Sequence, residues 1–276
     1  MGFSAARFAL GIPVCLLGVA ALLVVTFVTG RKVHRHSVVD VAWGLGYAVI
    51  ALISFTFSAG HGASATRVLL AVMTTVWGVR LGGFIALRQR GAKEDPRYTD
   101  MLDRAAANSP GANRDALAAR KIYLTQGVTL LFVSLPVQVG MYEHGHLGLP
   151  AYLGVALWLV GLTFEGVGDY QLARFKGETS NKGKIMDRGL WGWTRHPNYF
   201  GDACVWWGLF LVAAGHWPGV LTVLSPVLMN AFLARGTGKA TLEKHMGDRP
   251  GFADYLASTS GFFPLPPALT RALHSR

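Results

Sequence analysis

The chain is short of charge, of cysteine and of the usual phosphate-binding signatures. Only 15% of its 276 residues are Asp, Glu, Lys or Arg, where a soluble domain carries about a quarter. Its two cysteines, Cys15 and Cys204, both lie inside apolar runs. That excludes a disulfide framework or a thiolate metal site and leaves two small buried apolar residues. No G-x-G-x-x-G follows a strand pattern, so there is no Rossmann signal. "ARGTGKAT" falls short of a phosphate loop, because Leu233 stands where the first glycine is required. His34 with His36, and His144 with His146, lack a third ligand at sensible spacing, so no metal site is expected. No Ser-His-Asp or Cys-His arrangement emerges, and no alternating pattern suggests a β-barrel.

Apolar runs of membrane-spanning length are what the sequence has instead. Between polar breaks they predict an all-α polytopic membrane protein of seven helices, at about 8–30, 37–59, 66–88, 119–142, 150–168, 199–215 and 217–235. The first run is too long for a signal-peptide core and is expected to be retained. No soluble segment is long enough for its own core, so 1–276 reads as one domain. Of 26 basic residues, 23 fall in the loops after the first, third and fifth spans and in the tail. The positive-inside rule then places the N-terminus outside and the C-terminus in the cytoplasm. The +11 charge is an orientation signal and a contact with anionic lipid; nothing supports a nucleic-acid partner. Ala-, Gly- and Arg-rich usage suggests a bacterial inner membrane. The cytoplasmic loops are long and contain aromatic residues, so function is expected at that face.

Ionisable side chains within spans are costly and mark candidate sites. Asp40 opens the second span, Arg80 lies in the third, Glu165 and Asp169 end the fifth, and Asp202 lies in the sixth. An ion pair of Arg80 with Asp40 or Glu165 is an alternative, purely structural reading. Gly44, Gly46, Gly82 and Gly83 read as close helix contacts. The junction "GLWGWTRHPNYFGDACVWWG" is the most unusual stretch. Arg195 can fork onto a phosphate, His196-Pro197 marks a helix boundary, and Asn198 falls near the N-cap, where an anion is favoured. Asp202 follows one turn on. These groups suit a phosphorylated, amide-bearing small molecule; a capped helix with a tryptophan belt suits them equally.

That junction closely resembles the signature of a bacterial membrane family related to steroid 5-alpha-reductase, and more distantly to sterol C14-reductases. The resemblance extends to "SVVDVAWGLGY" (37–47), "EDPRY" (94–98), "YLTQG" (123–127), "DYQLARFKG" (169–177) and "LEKHMGDRPGFADYLASTSGFFP" (242–264). It implies a seven-helix reductase with residues 1–142 on the substrate side and 143–276 binding NADPH. It further implies Asn198 near the nicotinamide carboxamide, with Asp202 and His196 nearby. Arg174, Lys176, Arg195, Tyr199 and Arg235 are implied at the phosphates or the adenosine end. The substrate implied is a lipophilic enone entering from the bilayer, its enolate steadied by a polar pair. In the steroid enzymes that pair is a glutamate and a tyrosine on the second and third helices. Here the second span offers Asp40, and Trp77 stands at the tyrosine's place. Tyr98 is a candidate in its stead, as are Tyr47 and Tyr123. The shorter R-H-P-N-Y string also resembles isoprenylcysteine carboxyl methyltransferases, which use S-adenosylmethionine. A non-enzymatic membrane scaffold is the third reading. Oligomeric state has no signature here.

Overall fold

The computed structural model describes residues 2–235, 249–267 and 269–270. In chain order its helices are α1 (Ala5–Lys32), α2 (Val39–Phe57), α3 (Ser64–Arg88), α4 (Pro96–Ala107), α5 (Arg114–Ala118), α6 (Thr125–Val133), α7 (Leu135–Gly140), α8 (Leu149–Gly177), α9 (Pro197–Ala213), α10 (Leu224–Arg235) and α11 (Phe252–Ser258). The described residues contain no strand, only an isolated bridge between Thr194 and Ser260. Among the described residues, four segments are long and apolar enough to cross a membrane: α1, His36–Phe57 with α2, α3, and α8. Leu16, Leu17, Val24 and Val25 of α1 and Val68, Val72 and Val76 of α3 are exposed. Such apolar faces suit lipid rather than water.

The chain packs as two compact units. The first comprises Met1–Pro150 with Val212–Ser225 and is organised around α2, which meets α1, α3, α6 and α7. Glycine sets the α2–α3 spacing. A Cβ at Gly44 would stand 2.5 Å from the Gly78 carbonyl oxygen and 2.6 Å from the Gly82 nitrogen. Gly46 faces Leu130 of α6, whereas Gly83 faces open space and has no packing role. The second unit comprises Ala151–Leu211 and Pro226–Arg276. Within it α8 and α9 meet backbone to backbone at Gly161–Gly201 and Gly154–Gly208. Small residues permit this approach where the bilayer gives no hydrophobic drive for helices to associate.

Three segments differ from the sequence expectation. The stretch expected as a single span at 119–142 is a π-helical turn at Ala119–Leu124 followed by α6 and α7. Pro136 cannot donate to the ladder, and polar side chains bridge the break. Ser134 Oγ donates to the Leu130 carbonyl at 2.7 Å, and Gln138 Nε2 donates to that of Leu131 at 2.8 Å. The fifth run continues to Gly177, so Glu165 and Asp169 lie inside α8 and not at its end. Arg174 and Lys176 occupy its last turn, where cations oppose the helix dipole. Residues 89–118, read as loop, contain α4 and α5. Asp95 caps α4 by accepting from the Arg97 N–H at 2.9 Å, and Pro96 fills its first position.

A substitution at the α8–α9 crossing should be severe. In Gly201→Val the new Cβ alone would meet the Gly161 carbonyl oxygen at 2.5 Å and the Glu165 nitrogen at 2.6 Å. Neither backbone atom can rotate away, so the helices must part, at about 3 kcal/mol or more. The expected result is a melting temperature in detergent lowered by several degrees, or loss of folded protein. An unchanged melting temperature would contradict the crossing.

Candidate active-site residues

In the first unit the "EDPRY" stretch docks on the start of α2. The Glu94 carboxylate accepts from the His36 N–H at 2.5 Å, the Ser37 N–H at 2.9 Å and the Asp95 N–H at 3.0 Å. It thus supplies to the entry of α2 the cap that no local side chain provides. Gln89 Nε2 donates to the Ser37 carbonyl, and Arg35 donates to the carbonyls of Gln89 and Ala92. His36 Nδ1 lies 3.2 Å from the Tyr123 hydroxyl.

This docking delivers Tyr98 to Asp40. The phenol donates to Asp40 Oδ1 at 2.5 Å, and Arg97 stands 3.7 Å from Oδ2 while pairing bidentately with Asp95. Burial, and then the Asp40 charge, push the Tyr98 hydroxyl well above its ordinary range. The phenol therefore stays protonated at neutral pH, as a donor. Burial raises the Asp95 carboxyl, but its hydrogen bonds to Arg97 outweigh that and leave it below the usual value. Asp95 therefore stays ionised, holding Arg97 charged beside Asp40.

Trp77 is fully buried against Tyr47, with ring centroids 5.5 Å apart. Tyr47 is two helical turns along α2 from Asp40, about 10 Å by helix rise. Of the three residues read as catalytic, the structure thus joins Asp40 and Tyr98 and places Trp77 in the helix packing. Sequence reasoning missed Glu94 and Arg97. The signal was there: an acidic pair before a proline is a helix-start pattern.

In the second unit, the 189–196 loop is pinned on two sides. The Leu190 N–H donates to Gln171 Oε1 at 3.0 Å, and Trp191 Nε1 donates to the Gly168 carbonyl at 2.9 Å, both on α8. Thr194 is fully buried, its hydroxyl donating to the Phe262 carbonyl. Tyr255 of α11 donates to the Trp191 carbonyl at 2.7 Å. Arg195, read as a phosphate ligand, uses Nη1 on the carbonyls of Leu256 (3.1 Å) and Thr259 (2.7 Å). Those carbonyls end α11, so its guanidinium caps that helix. Arg195→Met should free the 249–267 segment, and limited proteolysis should cut there several-fold faster; an unchanged digest would contradict the cap.

Pro197 opens α9 and packs on Gly168 of α8. His196 is buried and stacks in parallel on Tyr199, with centroids 5.2 Å apart. Asn198 lies within the first turn, two positions past the N-cap that it was expected near, and its Oδ1 accepts from the Tyr199 N–H at 3.1 Å. Asp202 follows on the same face and is buried, as are Glu165 and Asp169 on α8. Arg174 and Lys176 are exposed at the end of α8. The Arg235 side chain lies outside the described residues. Together, the first turn of α9 presents a carboxamide, a stacked imidazole–phenol pair and a buried carboxylate, held from both sides.

A family model described as a protein of unknown function (DUF1295) matches residues 26–259. No curated protein and no solved structure matches the chain.

Proposed function

The chain belongs to the DUF1295 family, and from its own geometry we propose that it is an NADPH-dependent membrane reductase of the activated C=C bond in a lipophilic, enone-like substrate. The observation that carries this reading is the buried Tyr98–Asp40 hydrogen bond. A protonated phenol held on a carboxylate is a donor aimed for use where negative charge develops. In a soluble core the pair would be ordinary polar packing. At the head of an apolar helix it is costly unless used.

The cofactor side rests on the donor set of the second unit. Asn198 suits a carboxamide, with both donor and acceptor to offer. Asp202 suits hydroxyl or amide donors, and the cations Arg174 and Lys176 in the last turn of α8 suit phosphates. Arg195 serves by holding the loop to α11. NADPH, when bound, supplies the hydride added at the β carbon. Tyr98 would turn its one O–H from Asp40 Oδ1 to the enolate oxygen as charge builds there, and Asp40 would hold the phenol in position until then. Arg97, fixed by Asp95, stands 3.7 Å from Asp40 Oδ2 and offsets part of the cost of a charge there. The seven-span arrangement, the cytoplasmic C-terminus and a bacterial inner membrane belong to this same proposal, as does kinship with steroid 5-alpha-reductase. That kinship is supported by the "EDPRY" and "RHPNYFGD" stretches.

The test is NADPH consumption by the detergent-purified chain offered a panel of apolar enones. The reading expects consumption matched one to one by saturated product. NADPH left intact by every enone would contradict it.

A further inference from the structure

The first unit holds one more buried acid, at the end of α2 remote from Asp40. Glu143 follows α7 and is 1% exposed. Neither carboxyl oxygen has a well-formed hydrogen bond among the described residues, and the donor beside it is the Gly219 N–H. Its Oε1 lies so close to Gly219 that a Cβ there would stand 2.6 Å away. The Glu143 backbone is itself engaged, its carbonyl accepting from the Ala63 N–H at 2.8 Å. The 58–63 turn thus holds the Glu143 backbone, and the turn entering Gly219 closes on its carboxyl.

No neighbouring cation is aimed at it. Arg67 of α3 donates Nε to Ser58 Oγ at 2.7 Å and Nη2 to the Phe55 carbonyl at 2.6 Å, and lies over the Phe55 ring. His144 is 3.2 Å from Ser4 Oγ, and His216 Nε2 is 3.1 Å from the His146 carbonyl. Tyr142, His61 and, on α1, Arg7 and Cys15 complete the titratable groups of the elements around it. An ionised carboxylate enclosed without a partner is strongly disfavoured against the neutral acid.

We infer that Glu143 is a proton-binding site, held as the neutral carboxylic acid in the folded protein and releasing that proton as the medium turns alkaline. Burial pushes the carboxyl from its ordinary 4.5 up to about 7, with the Gly219 N–H opposing in part. The folded state thus binds the proton more tightly than the unfolded chain. The corresponding stability is fully present below about pH 4.5 and is lost as pH rises through about 7. In the orientation given by the basic residues this site faces outward, so it reads the pH opposite to the Asp40–Tyr98 side.

The experiment uses the full chain in detergent with N,N′-dicyclohexylcarbodiimide, which modifies protonated carboxyls in apolar surroundings. Labelling of the Glu143 peptide, mapped by mass spectrometry, is expected at pH 6 and at least roughly tenfold slower at pH 9. No adduct on Glu143 at pH 6, or a rate that ignores pH, would overturn the inference. A second reading uses Glu143→Gln, which keeps the shape. Wild-type melting should fall relative to this variant between pH 5 and pH 8. The four histidines nearby titrate in both proteins and cancel in the comparison. Parallel profiles would overturn the site.

Discussion

Tyr98→Phe should lower enone reduction by about 10²- to 10³-fold while leaving NADPH affinity unchanged. The substitution removes one oxygen from a residue that is 8% exposed, so the ring keeps its packing. What is lost is the O–H that donates to Asp40 Oδ1. Because burial and the Asp40 charge hold the phenol protonated, the wild-type rate should show no loss from Tyr98 between pH 7 and pH 9. Steady-state rates against NADPH and enone concentration check both points. Activity within a few-fold of wild type would remove Tyr98 from the mechanism and leave the pair a structural contact.

The second large effect belongs to the other unit. Asn198→Ala and Asp202→Ala should each weaken NADPH binding by roughly 10- to 100-fold, the range of a lost hydrogen bond to a charged or buried group. The melting temperature of each variant checks that it stays folded; the 189–196 loop itself is held by Trp191, Thr194, Arg195 and Tyr255. Since the two sit one turn apart in α9, their losses should not add, and the double variant measures the coupling. Titration of the cofactor into each purified variant is the check. Wild-type affinity in both would take the cofactor away from this junction.

The long apolar helices were legible because bilayer length is written in composition: α1, α2 and α3 match the runs read as spans to within about three residues at each end, and α8 begins where its run does. The errors have local causes. Glu165, Asp169 and Gln171 made α8 look finished at 168, although a helix continues through polar residues when its other face stays apolar. Pro136 broke a run whose hydropathy gave no hint of a break. Among the described residues, α4 was hidden because it is short and mostly polar, so an apolar scan passes over it.

The site was legible residue by residue and illegible as geometry. Asp40 and Tyr98 were both candidates, but 58 positions separate them. Their contact depends on the Glu94 cap, which no pattern search weighs. Trp77 was placed by analogy of position, and its packing on Tyr47 shows why: α2 and α3 touch through Gly44 and Gly78, leaving a wide aromatic to fill the space beside them. Arg195 looked like a phosphate fork because a guanidinium beside a helix start usually meets an anion. In the structure its Nη1 meets the carbonyl end of α11, some sixty residues later in the chain.

The central claim is that the start of α9 binds NADPH. It is tested most directly by thermal unfolding of the detergent-purified chain with NADPH, NADH, S-adenosylmethionine or no ligand. A ligand at 100 times its dissociation constant adds about 2.7 kcal/mol, a visible melting shift. The account predicts a shift with NADPH and none with S-adenosylmethionine, and it predicts that Asp202→Ala abolishes that shift at the same concentration. A shift with S-adenosylmethionine alone would contradict it and make the junction a methyl-donor site.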